Sequence, residues 1–304
     1  MSELLGIRLL HSPVSLWPSS VAVSAEALRL CPWLDALGAR VGPRSGLINP
    51  DPSLLGRSAC ATCEEHASAP PLVAPQLRIY ETDSSKKLDS PFFWLAARDG
   101  ALGLQSAVDA HGRPFYVDFC STGFRRRRKS FGARDLLARA VGGRRSGVRL
   151  CDATLGWGYD SVLLASLGYT VTACERSPVV LALAYDAFLR AKVAEPEEAL
   201  WRGMEFVLGP AEALSPGVSF EVVYLDPMYP EVADRSALPK KKMQLLRRLL
   251  PEPEPIDGLL SWAQSAASER VVLKRADHAA GTPHSTRPSQ VIEGETVRFE
   301  VFRR

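Results

Sequence analysis

Acidic residues stand at the ends of three apolar, β-rich runs in the second half of the chain. They are Asp152, Glu175 and Asp226. Because parallel strands end at one edge of a sheet, we expect the three carboxylates to surround one ligand site there. Gly156 and Gly158 follow the first acid and form a G-x-G turn, which lets the backbone approach a ligand in front of a helix N-terminus.

A carboxylate 19 residues after Gly156 suits the hydroxyl groups of a ribose, so the pattern favours a cofactor that contains adenosine. A dinucleotide motif needs a third glycine where this chain has Ser161, and Asp160 would repel a pyrophosphate. S-adenosylmethionine (SAM) carries no phosphate, and its sulfonium and ammonium groups are attracted to acids such as Asp152 and Asp160. The sequence therefore predicts SAM as the cofactor, and no metal site is expected.

The segment Val222–Pro230 is an apolar strand that runs into Asp-Pro-Met-Tyr, and it resembles the motif of amino-methyltransferases. The exocyclic amine of a base is a poor nucleophile because its lone pair is delocalised into the ring. If the Asp226 carboxylate and the Pro227 carbonyl accept its N–H groups, the nitrogen can become pyramidal and point its lone pair at a methyl group. Tyr229 would offer a face on which a flipped base stacks. We expect these three residues to be catalytic.

Several motifs taken together resemble those of the RsmJ family, which uses SAM to methylate guanine N2 of a 16S rRNA nucleotide. The motifs occur in order over about residues 90–304, and they are Asp152–Asp160, Glu175–Val180, Val222–Pro230, Ser236–Met243 and Val271–Arg275. The resemblance implies that activity and that cofactor. It also implies cofactor contacts at Tyr159, Asp160, Glu175, Arg176, Ala211, Glu212 and Asp226, although the family usually has Arg in place of Tyr159 and small hydroxyl residues in place of Ala211 and Glu212.

Positive charge is clustered, although the net charge of the chain is only +3. Residues 120–150 hold ten basic side chains and one acid, which suggests a polyanionic partner. The resemblance to the RsmJ family implies that this partner is small-subunit rRNA, either free or in an assembled 30S-type subunit. We expect phosphate contacts from three groups near the carboxyl edge of the sheet: Arg125, Arg126, Arg127, Arg128 and Lys129; Lys240, Lys241 and Lys242; and Lys274 and Arg275.

Strand and helix patterns alternate from residue 148 onwards. This alternation predicts an α/β fold with a doubly wound, mostly parallel sheet, and the resemblance implies the Rossmann-like class I SAM-dependent methyltransferase fold. The expected domains are a Pro-rich N-terminal extension or linker (1–75), a small α+β subdomain with the basic segment (76–135) and the methyltransferase domain (136–304). Prolines interrupt every potential helix of the extension except Val21–Leu30.

The composition excludes several other classes of protein. Hydrophobic residues make up 46% and charged residues 23% of the chain, which excludes a disordered protein. No run of about 18 uncharged apolar residues predicts a membrane-spanning helix. The N-terminal residues lack the pattern of a secretory signal, so we expect a cytoplasmic protein with reduced cysteines. Cys151 and Cys174 lie in apolar runs and are expected to be buried thiols, whereas Cys60 and Cys63 lack the second pair of ligands that a structural zinc site needs.

Two alternative functions fit the same residues. One is the same amine chemistry on DNA or on a protein glutamine, and the Arg-rich segment favours a nucleic acid over a protein. The other is a catalytically silent ribosome-assembly factor that keeps the SAM fold as an RNA clamp. The intact Asp226–Tyr229 motif favours an enzyme.

Overall fold

The structure, a computed structural model, describes residues 93–98, 100–106, 114–215, 217–228, 245–246, 249, 256–277 and 286–304. Nearer the N-terminus it describes only five short strands: β1 (Glu3–Leu4), β2 (Ile7–Leu9), β3 (Val21–Val23), β4 (Ala39–Val41) and β5 (Leu77–Ile79). The prediction for Cys60 and Cys63 therefore lies outside the described residues. Val21–Val23, the start of the segment with helical potential, is a strand.

The described part of the chain continues with strands and helices in alternation, as predicted. The strands are β6 (Phe93–Arg98), β7 (Ala101–Ser106), β8 (Phe115–Tyr116), β9 (Arg149–Asp152), β10 (Thr170–Glu175), β11 (Met204–Leu208), β12 (Phe220–Leu225), β13 (Ala267–Ala276), β14 (Gln290–Glu293) and β15 (Val297–Arg303). The helices are α1 (Thr122–Ser130), α2 (Leu136–Val141), α3 (Tyr159–Ser166), α4 (Pro178–Ala194) and α5 (Ile256–Ala266).

The main sheet has nine strands among the described residues, in the order β1-β2-β11-β10-β9-β12-β13-β15-β14. Strands β2, β11, β10, β9, β12 and β13 are parallel to one another, whereas β15 is antiparallel to β13 and to β14. The chain proceeds from β9 to β10 and β11 on one side, and then returns to β12 and β13 on the other. The switch in strand order therefore lies at β9 and β12, where ligands bind in open α/β sheets. The predicted fold class is confirmed.

Local sequence explains the helix that follows the second parallel strand. Ser177 is the N-cap of α4, its hydroxyl oxygen accepts a hydrogen bond from the amide of Val180 at 3.4 Å, and Pro178 occupies the first helical position. Most of α4 is buried, including all residues from Pro178 to Phe188. Cys151 and Cys174 are fully buried in the strands β9 and β10, as expected of structural thiols.

The chain divides into two compact units at a different place from the predicted boundaries. One unit comprises residues 1–12 and 117–304, and the other comprises residues 13–116. β1 and β2 belong to the main sheet, so the first residues are not all linker. The helix α1, which contains the basic segment, belongs to the unit with the main sheet. The second unit contains a four-stranded sheet in the order β3-β6-β7-β8 and the pair β4-β5. Within the described residues, no helix has both the length and the apolar character needed to cross a membrane.

Candidate active site

Asp152 ends β9 and is almost completely buried, with 1% of its surface exposed. Its two oxygens accept hydrogen bonds from the Ser161 hydroxyl at 2.5 Å and from the Thr154 amide at 3.1 Å. Burial raises the pKa of Asp152 to about 7, although both hydrogen bonds act in the opposite direction. A ligand with a positive charge would therefore stabilise the ionised form of this carboxylate.

Glu175 ends β10 beside Asp152, and its carboxylate is also buried. One oxygen accepts a hydrogen bond from the Gly156 amide at 3.0 Å and the other accepts one from the Ser177 amide at 2.8 Å. Glu175, at the end of β10, thus holds the glycine turn that follows β9. A carboxylate oxygen can accept two hydrogen bonds, so Glu175 has the chemistry to bind hydroxyl donors of a ligand.

The glycine turn requires glycine at both positions. Gly156 has φ +54° and Gly158 has φ +80°, in the left-handed region that side chains disfavour. A Cβ atom at Gly158 would also lie 3.1 Å from the ring of Phe119 and 3.2 Å from the side chain of Leu155. Gly158 directly precedes α3, whose first turn carries Asp160. The turn therefore places a carboxylate, rather than a phosphate site, at the start of this helix.

Lys274, near the end of β13, connects the start of α3 with the residue that follows β12. Its Nζ atom lies 2.8 Å from Oδ2 of Asp160 and 2.8 Å from Oδ2 of Asp226. The Tyr224 hydroxyl donates a hydrogen bond to the same Asp160 oxygen at 2.7 Å, and the Asp226 amide donates one to the Thr154 hydroxyl oxygen at 2.6 Å. These contacts bring the carboxylates of Asp160 and Asp226 to one place at the carboxyl edge of the sheet.

The pKa values of Asp160, Asp226 and Lys274 depend on their burial and on the charges of their neighbours. Burial works to raise the pKa of Asp160, but Lys274 and the Tyr224 hydroxyl outweigh it and hold that pKa below its usual range. Burial raises the pKa of Asp226, and the negative charge of Asp160 adds to this effect while Lys274 opposes it. Burial acts to lower the pKa of Lys274, but the charges of Asp226 and Asp160 outweigh this effect. The net pKa is raised above its usual value, so the ammonium stays charged.

The predicted phosphate contacts need two corrections. The side chain of Arg128 is buried, lies 2.7 Å from a carboxylate oxygen of Glu195 and covers the ring of Trp201, so it is not available to RNA. Arg275 is also buried and lies 3.3 Å from a carboxylate oxygen of Glu300. Both predictions were wrong because the arginines form buried ion pairs within the fold. Lys274 is near the expected edge, but it contacts the carboxylates of Asp160 and Asp226.

The other predicted basic residues differ in their surroundings. Arg125 pairs with Glu195 at 2.6 Å, and Arg127 pairs with Asp135. Arg126 and Lys129 are exposed on α1 and remain predicted phosphate contacts. Lys240, Lys241, Lys242 and the predicted stacking residue Tyr229 lie outside the described residues, whereas Pro227 is described and buried.

The cofactor contacts implied only by the family resemblance remain predictions. The Tyr159 ring contacts the rings of Phe119 and Phe124, with centroids 5.4 and 4.9 Å away, and its hydroxyl oxygen accepts a hydrogen bond from the Asp118 amide at 3.3 Å. The remaining three follow the second and third parallel strands: Arg176 is half-buried, Ala211 is buried and Glu212 is exposed. Sequence reasoning missed the roles of Thr154, Ser161 and Tyr224. Their positions were the available signal: Thr154 is on the loop after β9, Ser161 is in the first turn of α3, and Tyr224 is two residues before Asp226.

Comparisons with known proteins agree with this geometry. A family model of SAM-dependent methyltransferases matches residues 81–304. Ribosomal RNA small subunit methyltransferase J of Aeromonas hydrophila is 38% identical over 245 residues, which cover 79% of this chain and 95% of the relative. The chain belongs to the RsmJ family of SAM-dependent methyltransferases. The RsmJ protein of Shewanella oneidensis is 44% identical over 194 residues, which cover 61% of this chain and 76% of the relative. A crystal structure of a SAM-dependent methyltransferase from Neisseria gonorrhoeae has a TM-score of 0.57 and 28% identity, and the match covers 75% of this chain and 87% of that one.

The cofactor of this RsmJ family member is SAM, and the carboxylates at the site are suitable to bind it. Asp152 is a buried carboxylate that receives hydrogen bonds from a hydroxyl and an amide, which matches the need of an ammonium group for an acceptor. Glu175 offers acceptors for ribose hydroxyls beside the glycine turn. The acids at the site would attract a sulfonium rather than a phosphate.

Proposed function

We propose that the chain transfers the methyl group of SAM to the exocyclic N2 amine of a guanosine in small-subunit rRNA. The observation that carries this proposal is the position of Asp226. It follows β12 at the switch point, its amide is held by Thr154 and its carboxylate is held by Lys274. The rRNA substrate is supported by the curated relatives, which are ribosomal RNA small subunit methyltransferases.

The protein groups would act by alignment and charge. When bound, SAM supplies an electrophilic methyl group on a sulfonium. The Asp226 carboxylate and the Pro227 carbonyl would accept the N–H bonds of the amine, which directs its lone pair and stabilises the positive charge that develops on nitrogen. Tyr229 would stack against the flipped base. Arg126 and Lys129 on the exposed part of α1 would contact phosphates, and the reaction would take place in the cytoplasm on rRNA or on an assembled subunit.

The test is methyl transfer from labelled SAM to rRNA of a strain that lacks this activity. We expect label in small-subunit rRNA, located by mass mapping on guanosine N2, and we expect Asp226→Asn to reduce the rate by about 100-fold or more. Glu293→Gln removes an exposed carboxylate on the edge strand β14 and should leave the rate unchanged. Label found only in DNA or in a protein glutamine, or full rescue of a deletion strain by Asp226→Asn, would refute the proposal.

A further inference from the structure

A cavity of about 410 Å³ lies at the amino edge of β13, away from the carboxylates that end the parallel strands. Four arginines contribute to its lining: Arg270 of β13, Arg287, and Arg303 and Arg304 at the end of β15. Ser265, Thr286 and Ser289 also line it. A cavity lined by guanidinium and hydroxyl donors has the chemistry of a site for phosphate oxygens.

The negative charge near this cavity does not balance the arginines. None of the described residues that line it is acidic. Glu269, the neighbour of Arg270, is engaged by Arg145 through two hydrogen bonds of 2.5 and 2.8 Å. The C-terminal end of α5 contributes only about half a negative charge. A terminal carboxylate on Arg304 would still leave an excess of positive charge.

Of these four arginines, Arg270 is half-buried and the other three are exposed. The Nε atom of Arg270 is buried and forms no hydrogen bond within the part of the chain that the structure describes. One terminal nitrogen of the same side chain lies 3.5 Å from the Ala140 carbonyl, near the end of α2. A Cβ atom at Gly142 would lie 3.2 Å from the guanidinium carbon of Arg270, so this side chain faces the end of α2. The exposed arginines that line the cavity are Arg287, Arg303 and Arg304.

Part of the basic segment identified in the sequence lies at this edge rather than at the catalytic edge. Arg149 opens β9 at its amino end and is exposed, and Arg144 donates a hydrogen bond to the Ser166 carbonyl at the end of α3. Arg139 is exposed in the last turn of α2, next to the contact of Arg270 with Ala140. Arg149 lies 3.6 Å from a carboxylate oxygen of Glu221, so the positive charge beyond the cavity comes from Arg139 and Arg144.

We propose that the arginine-lined cavity binds a phosphate of the RNA backbone, at a second site remote from methyl transfer. This inference rests on the proposed function because it takes the anion to belong to the RNA substrate. Arg270 and Lys274 are four residues apart on β13, which corresponds to roughly 13 Å at about 3.3 Å per residue. The cavity would therefore hold nucleotides other than the target, and it would fix the register of the RNA rather than take part in the chemistry.

The test measures binding of a fluorescent small-subunit rRNA fragment by anisotropy over a range of KCl concentrations. Arg287→Gln combined with Arg304→Gln removes two exposed charges from the cavity. The matched control, Lys192→Gln with Arg202→Gln, removes two exposed charges near β11. We expect the cavity variant to lower the slope of log affinity against log salt by about 0.7, since one phosphate contact on a single strand contributes about 0.7. The control should keep the wild-type slope, and the melting temperature and SAM affinity of both variants should be unchanged.

Equal slopes for the wild type and the cavity variant would overturn the proposal. An equal decrease of the slope in the cavity variant and in the control variant would also overturn it. Loss of inorganic pyrophosphate binding with an unchanged RNA slope would also overturn it, because the cavity would then be a site for small free anions. The titration requires no methyl transfer. A protein that shows the expected slopes but does not methylate rRNA would therefore contradict the proposed function and leave the second site standing.

Discussion

Replacing Lys274 with methionine removes the positive charge that lies between the carboxylates of Asp160 and Asp226. Each oxygen lies 2.8 Å from the same nitrogen, so the two oxygens are no farther apart than twice that distance. Without the ammonium, the two negative charges face each other with no neutralising group between them. In the proposed mechanism Asp226 accepts the N–H groups of the amine as a carboxylate, so its protonation should slow the reaction.

The size of the effect follows from the distances and the exposure. A charge pair at about 4 Å is worth about 4 kcal/mol at an effective dielectric constant of about 20 and about 1 kcal/mol in water. The side chains of Asp160 and Asp226 are 28% and 37% exposed, so solvent screens part of the interaction. A value of about 2 kcal/mol corresponds to about 1.5 pKa units. The substitution should raise the pKa of Asp226 by about that amount.

The assay is the rate of methyl transfer as a function of pH, between about pH 5 and 9, under single-turnover conditions. In Lys274→Met the acidic limb of the profile should move to higher pH by one to two units, and part of the activity should return at alkaline pH. Lys274→Arg retains the charge and should keep the limb near the wild-type position. A profile of Lys274→Met that is lowered equally at every pH would refute this reasoning, because the lysine would then have only a structural role.

Three further predictions concern the cofactor site and the fold. The ammonium of SAM favours the ionised form of Asp152, whose pKa is raised to about 7 by burial, so SAM affinity should be full above about pH 7 and fall by up to tenfold per unit below it. Calorimetric titration at several pH values checks this, and Asp152→Asn should abolish the dependence. Gly158→Ala should lower the free energy of unfolding by about 1–2 kcal/mol and weaken SAM binding, because of its positive φ and close neighbours. Gly123→Ala, where a Cβ meets no atom within 4 Å, should change stability by less than about 0.5 kcal/mol in the same thermal melts. Arg128→Met should destabilise the fold by about 3 kcal/mol in denaturant titrations because it breaks a buried ion pair, whereas Arg126→Met on the exposed face of α1 should have little effect on stability. An equal, small effect of both arginine substitutions would contradict the buried-pair argument.

Much of the fold was predictable because it depends on local patterns. Apolar runs that end in acids predicted strands before Asp152, Glu175 and Asp226, and β9, β10 and β12 end at or directly before these residues. The glycine turn was predictable for the same reason, since only glycine tolerates the positive φ at Gly158. The division of the chain between Tyr116 and Val117 was not predictable. It depends on long-range contacts of α1, such as the pair between Arg128 and Glu195, 67 residues apart.

The charged residues show what the sequence alone determined and what tertiary structure decided. The sequence determined that carboxylates end β9, β10 and β12, because the strand pattern and the rule for parallel sheets place those ends at one edge. It did not determine which of the clustered cations face a ligand. Lys274 lies beside Asp160 although 114 residues separate them, and Arg145 pairs with Glu269 across 124 residues. Coulomb energy and desolvation depend on distance in space and on burial, and only the folded chain sets these quantities.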